Sequence, residues 1–372
     1  MSLKKLSISD ARTLAVCSQG FYNKDNTLES ILTKLGCIQI DSISAVRRSH
    51  ELVLLSRGLP LNESTTFLTA NSPVKTFEYP AHAMAALPIE KWPYFGFRRR
   101  KIQTIGWRGP KVDHAAVITT RKKLRELGEL STSTLGPVDG HGWERTSKNK
   151  VALEWLLWTG EAVCTYRNRW KRRYHDVDLA LPKEIRDQNV NDLDCIHFLL
   201  EDALTHLGVA TASDIADYYR LPVKDVSEYL LKFNFEKCLV EGWDEPCWIA
   251  QGADDAIYNL SDHAIPLSPF DSLVWFRPRL KRLFNCDFVL EAYKKPDKRE
   301  FGYFGMPILQ GKNIVGRVAP RKVKDKIIVE AIESSENTAH EELHHSILKT
   351  LSNWTNTKFN TLTGDELINE EG

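Results

Sequence analysis

Cys37-Ile38-Gln39-Ile40-Asp41 runs directly into Ser42-Ile43-Ser44-Ala45-Val46-Arg47-Arg48. A carboxamide and a carboxylate stand two residues apart, with apolar residues between and before them. Alternation predicts a short extended segment with Gln39 and Asp41 on one face and Ile38 and Ile40 on the other. On pattern alone this is a half-buried strand with a polar outer face. Its setting adds more. Arg47, Arg48 and Arg57 follow closely, and His82 arrives from the aromatic stretch Phe77-Glu78-Tyr79-Pro80-Ala81-His82.

Upstream, residues 9–19 read as a helix with Ser9 as N-cap and Gly20 as a stop. Thr27 caps a second helix over 28–35, apolar at Leu28, Ile31, Leu32 and Leu35, and Gly36 ends it. The Gln39/Asp41 pair follows that glycine. Asp41 or Ser42 could equally cap a third helix running toward His50, where the helix entrance would favour an anion. The apolar run at 51–57 reads as a strand. Two helices and a strand suggest a first winged helix-turn-helix.

The 372 residues carry 50 Lys and Arg against 49 Asp and Glu, with 42% hydrophobic and 27% charged content. Such a chain buries a substantial core in two or three domains and is not disordered. The opening residues hold no apolar signal region. No stretch approaches the ~18 apolar residues of a membrane helix. Seven dispersed cysteines without a CxxC pair point to a reducing cytoplasm, with no disulfide framework and no zinc ribbon. No metal or other cofactor is expected.

The near-zero net charge hides a polarised distribution. Ten Lys and Arg fall between Arg98 and Arg125, and eight between Arg145 and Arg173. From Glu184 to Asp262 the balance reverses, with seventeen acids and five Lys and Arg. One basic face for nucleic acid and an acidic back would produce this pattern. Solvated helix faces of differing sign would do so too, but the basic blocks are interleaved with aromatic residues and glycines.

Residues 111–127 predict a basic helix and 131–135 a short element. After the glycine-rich 136–142 comes a helix over 148–158, beginning at Lys148 and stopped by Gly160. A hairpin follows over 161–177, turning near Asn168-Arg169. Helix, short helix, helix and hairpin is winged-helix order. The cations Arg167, Arg169, Arg172 and Arg173 suit phosphates, and Trp170 and Tyr174 could stack or wedge. Residues 192–207, 213–219 and 223–233 form the cleanest helix-turn-helix, with a hairpin at 237–250. It is acidic, which suits a scaffold better than a groove reader. Segments 286–293, 301–310, 313–318 and 326–332 alternate and predict an antiparallel meander, followed by a helix over about 339–354 and a frayed tail beyond Gly364.

Taken together, several motifs resemble the winged-helix DNA glycosylases that unhook alkylation crosslinks, the YcaQ (AlkX) branch, with AlkZ more distant. They are Leu6-Ser7-Ile8-Ser9-Asp10-Ala11-Arg12, Ile38-Gln39-Ile40-Asp41-Ser42-Ile43, Leu52-Val53-Leu54-Leu55-Ser56-Arg57, Glu78-Tyr79 with His82, Leu267-Ser268-Pro269-Phe270-Asp271 with Trp275, and Phe301-Gly302-Tyr303-Phe304 with Val315-Gly316-Arg317. The resemblance runs from Leu3 to about Trp354. It implies an α+β fold of three winged helix-turn-helix units around a DNA-binding cleft, with a C-terminal antiparallel β meander and terminal helix. The corresponding segments are 1–97 with the catalytic motif, 98–183 with the basic wing, the acidic 184–262, and 263–372.

The resemblance also implies catalytic Gln39 and Asp41 and a pocket wall including Tyr79 and His82, while the cations Arg47, Arg48, Arg57, Lys148, Arg167, Arg169, Arg172, Arg173 and Arg317 are the expected DNA contacts by charge and position. Its substrate would be duplex DNA carrying alkylated or crosslinked guanine, met by a monomeric cytoplasmic, nucleoid-associated enzyme with no membrane partner. Pro80 and Ala83 depart from the family's pattern around Tyr79 and His82, and no acid stands near Ala319. Two other functions fit parts of the chain. One is a winged-helix transcription factor without chemistry. The other is a zinc metallopeptidase, because His340-Glu341-Glu342-Leu343-His344 matches H-E-x-x-H and Glu366 could be a distant third ligand.

Overall fold

A computed structural model describes residues 3–23, 26–135, 147–253, 260–335 and 340–359. The glycine-rich 136–142 and the tail beyond Gly364 lie outside these. The chain forms two compact units: Met1–Thr65 with Ala203–Gly372, and Thr66–Asp202. This division is coarser than the four sequence segments. The segment 98–183 falls wholly in the second unit, whereas 1–97 and 184–262 are each divided.

In the first unit, Ser7, rather than Ser9, caps the opening helix Ile8–Ser18. Its hydroxyl accepts from the Asp10 N–H and the Asp10 carboxylate returns to the Ser7 N–H, a reciprocal capping box. The Leu28–Leu35 helix has Thr27 as cap and buries Leu28, Ile31, Leu32 and Leu35. Each of those side chains contributes roughly 1.5–3 kcal/mol by leaving water. Gly36 ends the helix at φ 64°, a region open to glycine at little cost, and so turns the chain into Ile38–Gln39.

Residues 51–57 are not a strand. A helix spans Ser49–Leu55, and Leu52, Val53, Leu54 and Leu55 are all buried. A helix buried on every side shows a continuous apolar run, which periodicity cannot separate from a buried strand.

A four-stranded sheet in this unit has the order Lys4–Leu6, Lys237–Val240, Cys247–Ile249, Val209–Thr211. Its first pair is parallel and the others antiparallel. Helices Ala212–Tyr218 and Val223–Lys232 lie between its strands in sequence, the former capped by Thr211 in a box with Asp214. A second sheet runs Ile265–Pro266, Met306–Gln310, Asn313–Val323, Lys326–Ser334, Lys358–Phe359. Residues 286–291 carry no strand, contrary to their alternation. The helix His340–Thr355 follows. One apolar core joins these parts, from Leu14 and Val16 through Leu52 and Leu267 to Ile308, Ile347 and Leu351.

The second unit opens on a hairpin, Thr76–Ala81 with Ala83–Pro88. Helices Gly96–Ile105, His114–Leu127 and Lys148–Thr159 follow, the last two capped by Asp113 and Ser147. The basic hairpin pairs Ala162–Asn168 with Lys171–Asp176. Leu124, Leu153, Leu156, Leu157, Cys164 and Tyr174 form the core here. The helix Asp192–Leu207 runs through the division between the units.

Candidate active site

Gln39 is as buried as its neighbours, at 9% exposure beside 1% for Ile38 and 8% for Ile40. The alternation therefore does not produce a solvated polar face. Only Asp41, at the end of the segment, is partly open. Nor does Asp41 cap a helix directly. Its Oδ1 accepts the Ile43 N–H at 2.8 Å, an Asx turn that keeps residues 41–48 out of the helix and delays its start to Ser49.

Ser49 ties the pair together. Its hydroxyl accepts the Asp41 N–H at 3.2 Å and donates to the Gln39 carbonyl at 3.4 Å, with the side chain fully buried. One rigid helix start thus fixes the backbone at both ends of the Gln39-Ile40-Asp41 step. Nothing in the sequence pattern marks Ser49, because the apolar run beside it reads as a strand where this helix lies. The far end of the loop is fixed to the C-terminal half of the chain. The Lys322 N–H donates to the Ala45 carbonyl at 2.9 Å, and the Arg47 guanidinium donates to the Trp354 carbonyl. Arg47 also pairs with Glu51 at 2.8 Å. Arg48 is partly exposed at the N-cap of the Ser49 helix, where its backbone is extended.

Beyond the loop, the Tyr293 phenol lies within electrostatic reach of Asp41. Partial burial, and then the Asp41 charge, raise its pKa above the ordinary value. The pair can supply an anion and a carboxamide to orient a water. That combination suits stabilisation of a developing cation and activation of water.

The other expected site residues are distributed differently. Arg57 is buried at 2% exposure, and its guanidinium grips Asp271 at 2.6 and 3.1 Å. It cannot reach a phosphate without breaking a buried ion pair, so its place in the molecule is structural. Tyr79 is fully buried in the second unit and donates to the Trp158 carbonyl at 2.9 Å. Burial pushes its hydroxyl up to about 12. It is part of the packed interior and does not line an open pocket wall. His82 is buried at the turn of the 76–88 hairpin.

The basic hairpin is also less free than its composition suggests. Arg167 meets the buried Glu78 at 2.5 and 2.7 Å. Arg172 bridges Glu78 at 2.8 Å and Glu154 at 3.0 Å, and Arg173 meets Glu129 at 3.0 Å. Burial pushes the Glu78 carboxyl up, but the two guanidinium groups outweigh it and hold the carboxyl below the usual range. Arg169 remains exposed at the tip, with Lys171 beside it. Lys148 is largely exposed but 3.0 Å from Asp113. Arg317 pairs with Glu333 at 2.6 Å and lies 4.0 Å over the Phe301 ring.

In the H-E-x-x-H stretch, the His340 side chain and Glu366 lie outside the described residues. Among the described residues no group of three His, Cys, Asp or Glu could hold a metal ion. Glu341, Glu342 and His345 instead line a cavity of about 650 Å³ with Lys349 and Asn353. Among the described residues no helix is long and apolar enough to cross a membrane.

Comparison with known proteins bears on the fold and the family. The structure is similar to that of the Streptomyces sahachiroi DNA glycosylase AlkZ, with a TM-score of 0.64 over 96% of this chain and 100% of that one, at 12% sequence identity. That likeness concerns the fold. The model of the family described as DNA glycosylase AlkZ-like matches residues 32–345, a span that includes Gln39, Asp41 and the basic hairpin. With this match the readings as a regulator without chemistry or a metallopeptidase give way: the chain belongs to the AlkZ-like DNA glycosylase family and is a DNA-repair enzyme.

Proposed function

We propose that the enzyme hydrolyses the N-glycosidic bond of N7-alkylguanine in duplex DNA, including guanines joined in interstrand crosslinks, with Asp41 and Gln39 as the reacting pair. The observation that carries this reading is the Ser49 hydroxyl joining the Gln39 carbonyl to the Asp41 N–H, which presents a partly open carboxylate on a fixed backbone. N7-alkylguanine carries a formal positive charge and leaves as a neutral base, so no general acid is required. An anion beside the oxocarbenium-like sugar and a positioned water suffice, as in glycoside hydrolysis with the acid step omitted. Asp41 serves as electrostatic stabiliser and as general base toward that water. Gln39 donates and accepts at once and holds the water in line.

The same reading has the enzyme acting as a monomer built on three winged-helix modules. Helix, helix and hairpin succession at 114–176 and at 212–249 supports two of them. A crosslinked base is tethered to the opposite strand and cannot be flipped out fully into a snug pocket. The enzyme must then reach into the duplex, which favours an open site.

Asp41→Asn removes the anion and keeps the shape. It should abolish release of N7-methylguanine in single-turnover assays while leaving duplex binding within about twofold, well under the tenfold that equals ~1.4 kcal/mol. Gln39→Ala should be slow but measurable, because water can partly reposition. Wild-type rates from Asp41→Asn would remove Asp41 from the mechanism.

A further inference from the structure

Residues 291–303 form a loop whose shape rests on one carboxylate. Glu291 is buried at 5% exposure, and its Oε2 accepts the N–H groups of Glu300, Phe301 and Gly302 at 2.9, 2.8 and 3.3 Å. Its Oε1 meets Lys294 at 2.7 Å. Pairing with Lys294, and then these amides, lower the carboxyl to about 2. Gly302 has φ 136°, and a Cβ there would stand 2.7 Å from the Ala319 Cβ, so the base of the loop admits only glycine without strain. Lys294 and Arg299 are drawn inward, the latter donating to the Lys294 carbonyl at 3.2 Å and lying 4.9 Å from the Tyr303 ring centre.

What this clamp holds out is unusual for a surface loop. Tyr293 is 76% exposed, with Lys295 and Lys298 exposed on the turn that follows, alongside the exposed carboxylates Asp297 and Glu300. An aromatic ring beside cations matches a nucleic-acid strand, with bases for the ring and phosphates for the ammonium groups. The base of this loop and the Asp41 loop lie on one strand: Gly302 packs on Ala319, and three residues on the Lys322 N–H donates to the Ala45 carbonyl.

We propose that the 293–299 loop is a DNA-contacting element of the reaction site, in which the Tyr293 ring stacks on the nucleotide next to the damaged one and Lys295 and Lys298 hold the flanking phosphates. Tyr293 is then a positioning residue that sets the lesion sugar against Asp41, and Glu291 is the clamp that orders the loop before DNA arrives. This inference rests on Asp41 as the reacting residue, and its test separates the two.

The test uses the full chain and a duplex with an uncleavable tetrahydrofuran abasic analogue beside 2-aminopurine. Wild type and Asp41→Asn should both change the 2-aminopurine fluorescence on binding. Tyr293→Ala should lose that change, and Tyr293→Phe should keep it. With N7-methylguanine duplex, Tyr293→Ala should slow single-turnover release about tenfold at saturating enzyme, and Tyr293→Phe less than about threefold. Neutralising Lys295 and Lys298 should reduce the log–log salt slope of binding by about 0.9 for every phosphate that no longer meets a cation. An unchanged fluorescence response in Tyr293→Ala would overturn the proposal, as would a Tyr293→Phe variant that behaves like it. Wild-type cleavage by Asp41→Asn would instead defeat the reading of the catalytic pair and leave the fluorescence result standing.

Discussion

Arg57 touches the Gln19 carbonyl at 2.8 Å, the Val53 carbonyl at 3.0 Å, Asp271 through two nitrogens and the Phe21 ring at 4.1 Å. Neither member of the ion pair has side-chain surface in water. Removing one charge leaves the other buried and uncompensated, so Arg57→Ala should cost about 3–5 kcal/mol. A lower urea midpoint at unchanged slope would report it, and adding Asp271→Asn should recover part of the loss. An arginine after an apolar run carries no local sign of burial, and its partner lies 214 positions away. That is why residue type and spacing suggested a phosphate contact. Both partners belong to motifs that carried the family resemblance, Leu52–Arg57 and Leu267–Asp271, so the resemblance reflected core architecture at these positions. The placement of Gln39 and Asp41 just past a helix end was legible for another reason. A polar pair directly after a helix-ending glycine is local information, whereas the Ser49 bridge depends on a helix that the apolar run disguised.

At the scale of the element, the basic hairpin was legible in outline and not in function. Its strands alternate, and Arg169 and Trp170 take φ 46° and 68°, the two successive positive values that a two-residue hairpin turn of the primed type demands. Which cations remain available could not be read, because Glu78, Glu129 and Glu154 come from three other segments. The tip should therefore carry DNA affinity and the stem stability. Arg169→Gln with Lys171→Gln should weaken binding to any duplex and reduce the salt slope by about 0.9 per phosphate, while Arg220→Gln with Lys224→Gln should do little. Arg167→Gln should leave the slope of the folded protein alone and lower its melting temperature, since Glu78 loses a bidentate partner. The Glu78 carboxyl is held below its ordinary value, so its contribution is fully present above the unfolded-state pKa, about 4.3, and is lost as pH falls through the folded value. Acid melts should show that loss in wild type and a smaller one in Arg167→Gln. An equal salt-slope change from tip and stem variants would mean that the ion pairs open on DNA.

Across the whole molecule, sequence order and compact units do not coincide. The first unit joins the N-terminal 65 residues to everything after Asp202, so Gln39 and Asp41, the pair proposed to react, belong with the C-terminal sheet and the 293–299 loop. No local periodicity encodes that assembly; it arises from core packing between residues such as Leu14, Leu52 and Leu267 and the sheet residue Ile308. The basic blocks at 98–125 and 145–173, by contrast, fall wholly within the second unit, whereas the acidic 184–262 is shared between the two. The chemistry proposed for the assembled enzyme makes one demand on its substrates. A cationic leaving group needs no acid, and Asp41 with Gln39 offers none to a neutral base. N7-methylguanine and N7-linked crosslinks should be released, whereas uracil and hypoxanthine in matched duplexes should stay in place. Because an open site tolerates bulk, the crosslink should react within about tenfold of the monoadduct, or ~1.4 kcal/mol of barrier. Comparing single-turnover release of N7-methylguanine and uracil from matched duplexes tests this directly. Efficient uracil release would show that leaving-group protonation is available, and the acid-free mechanism would have to be abandoned.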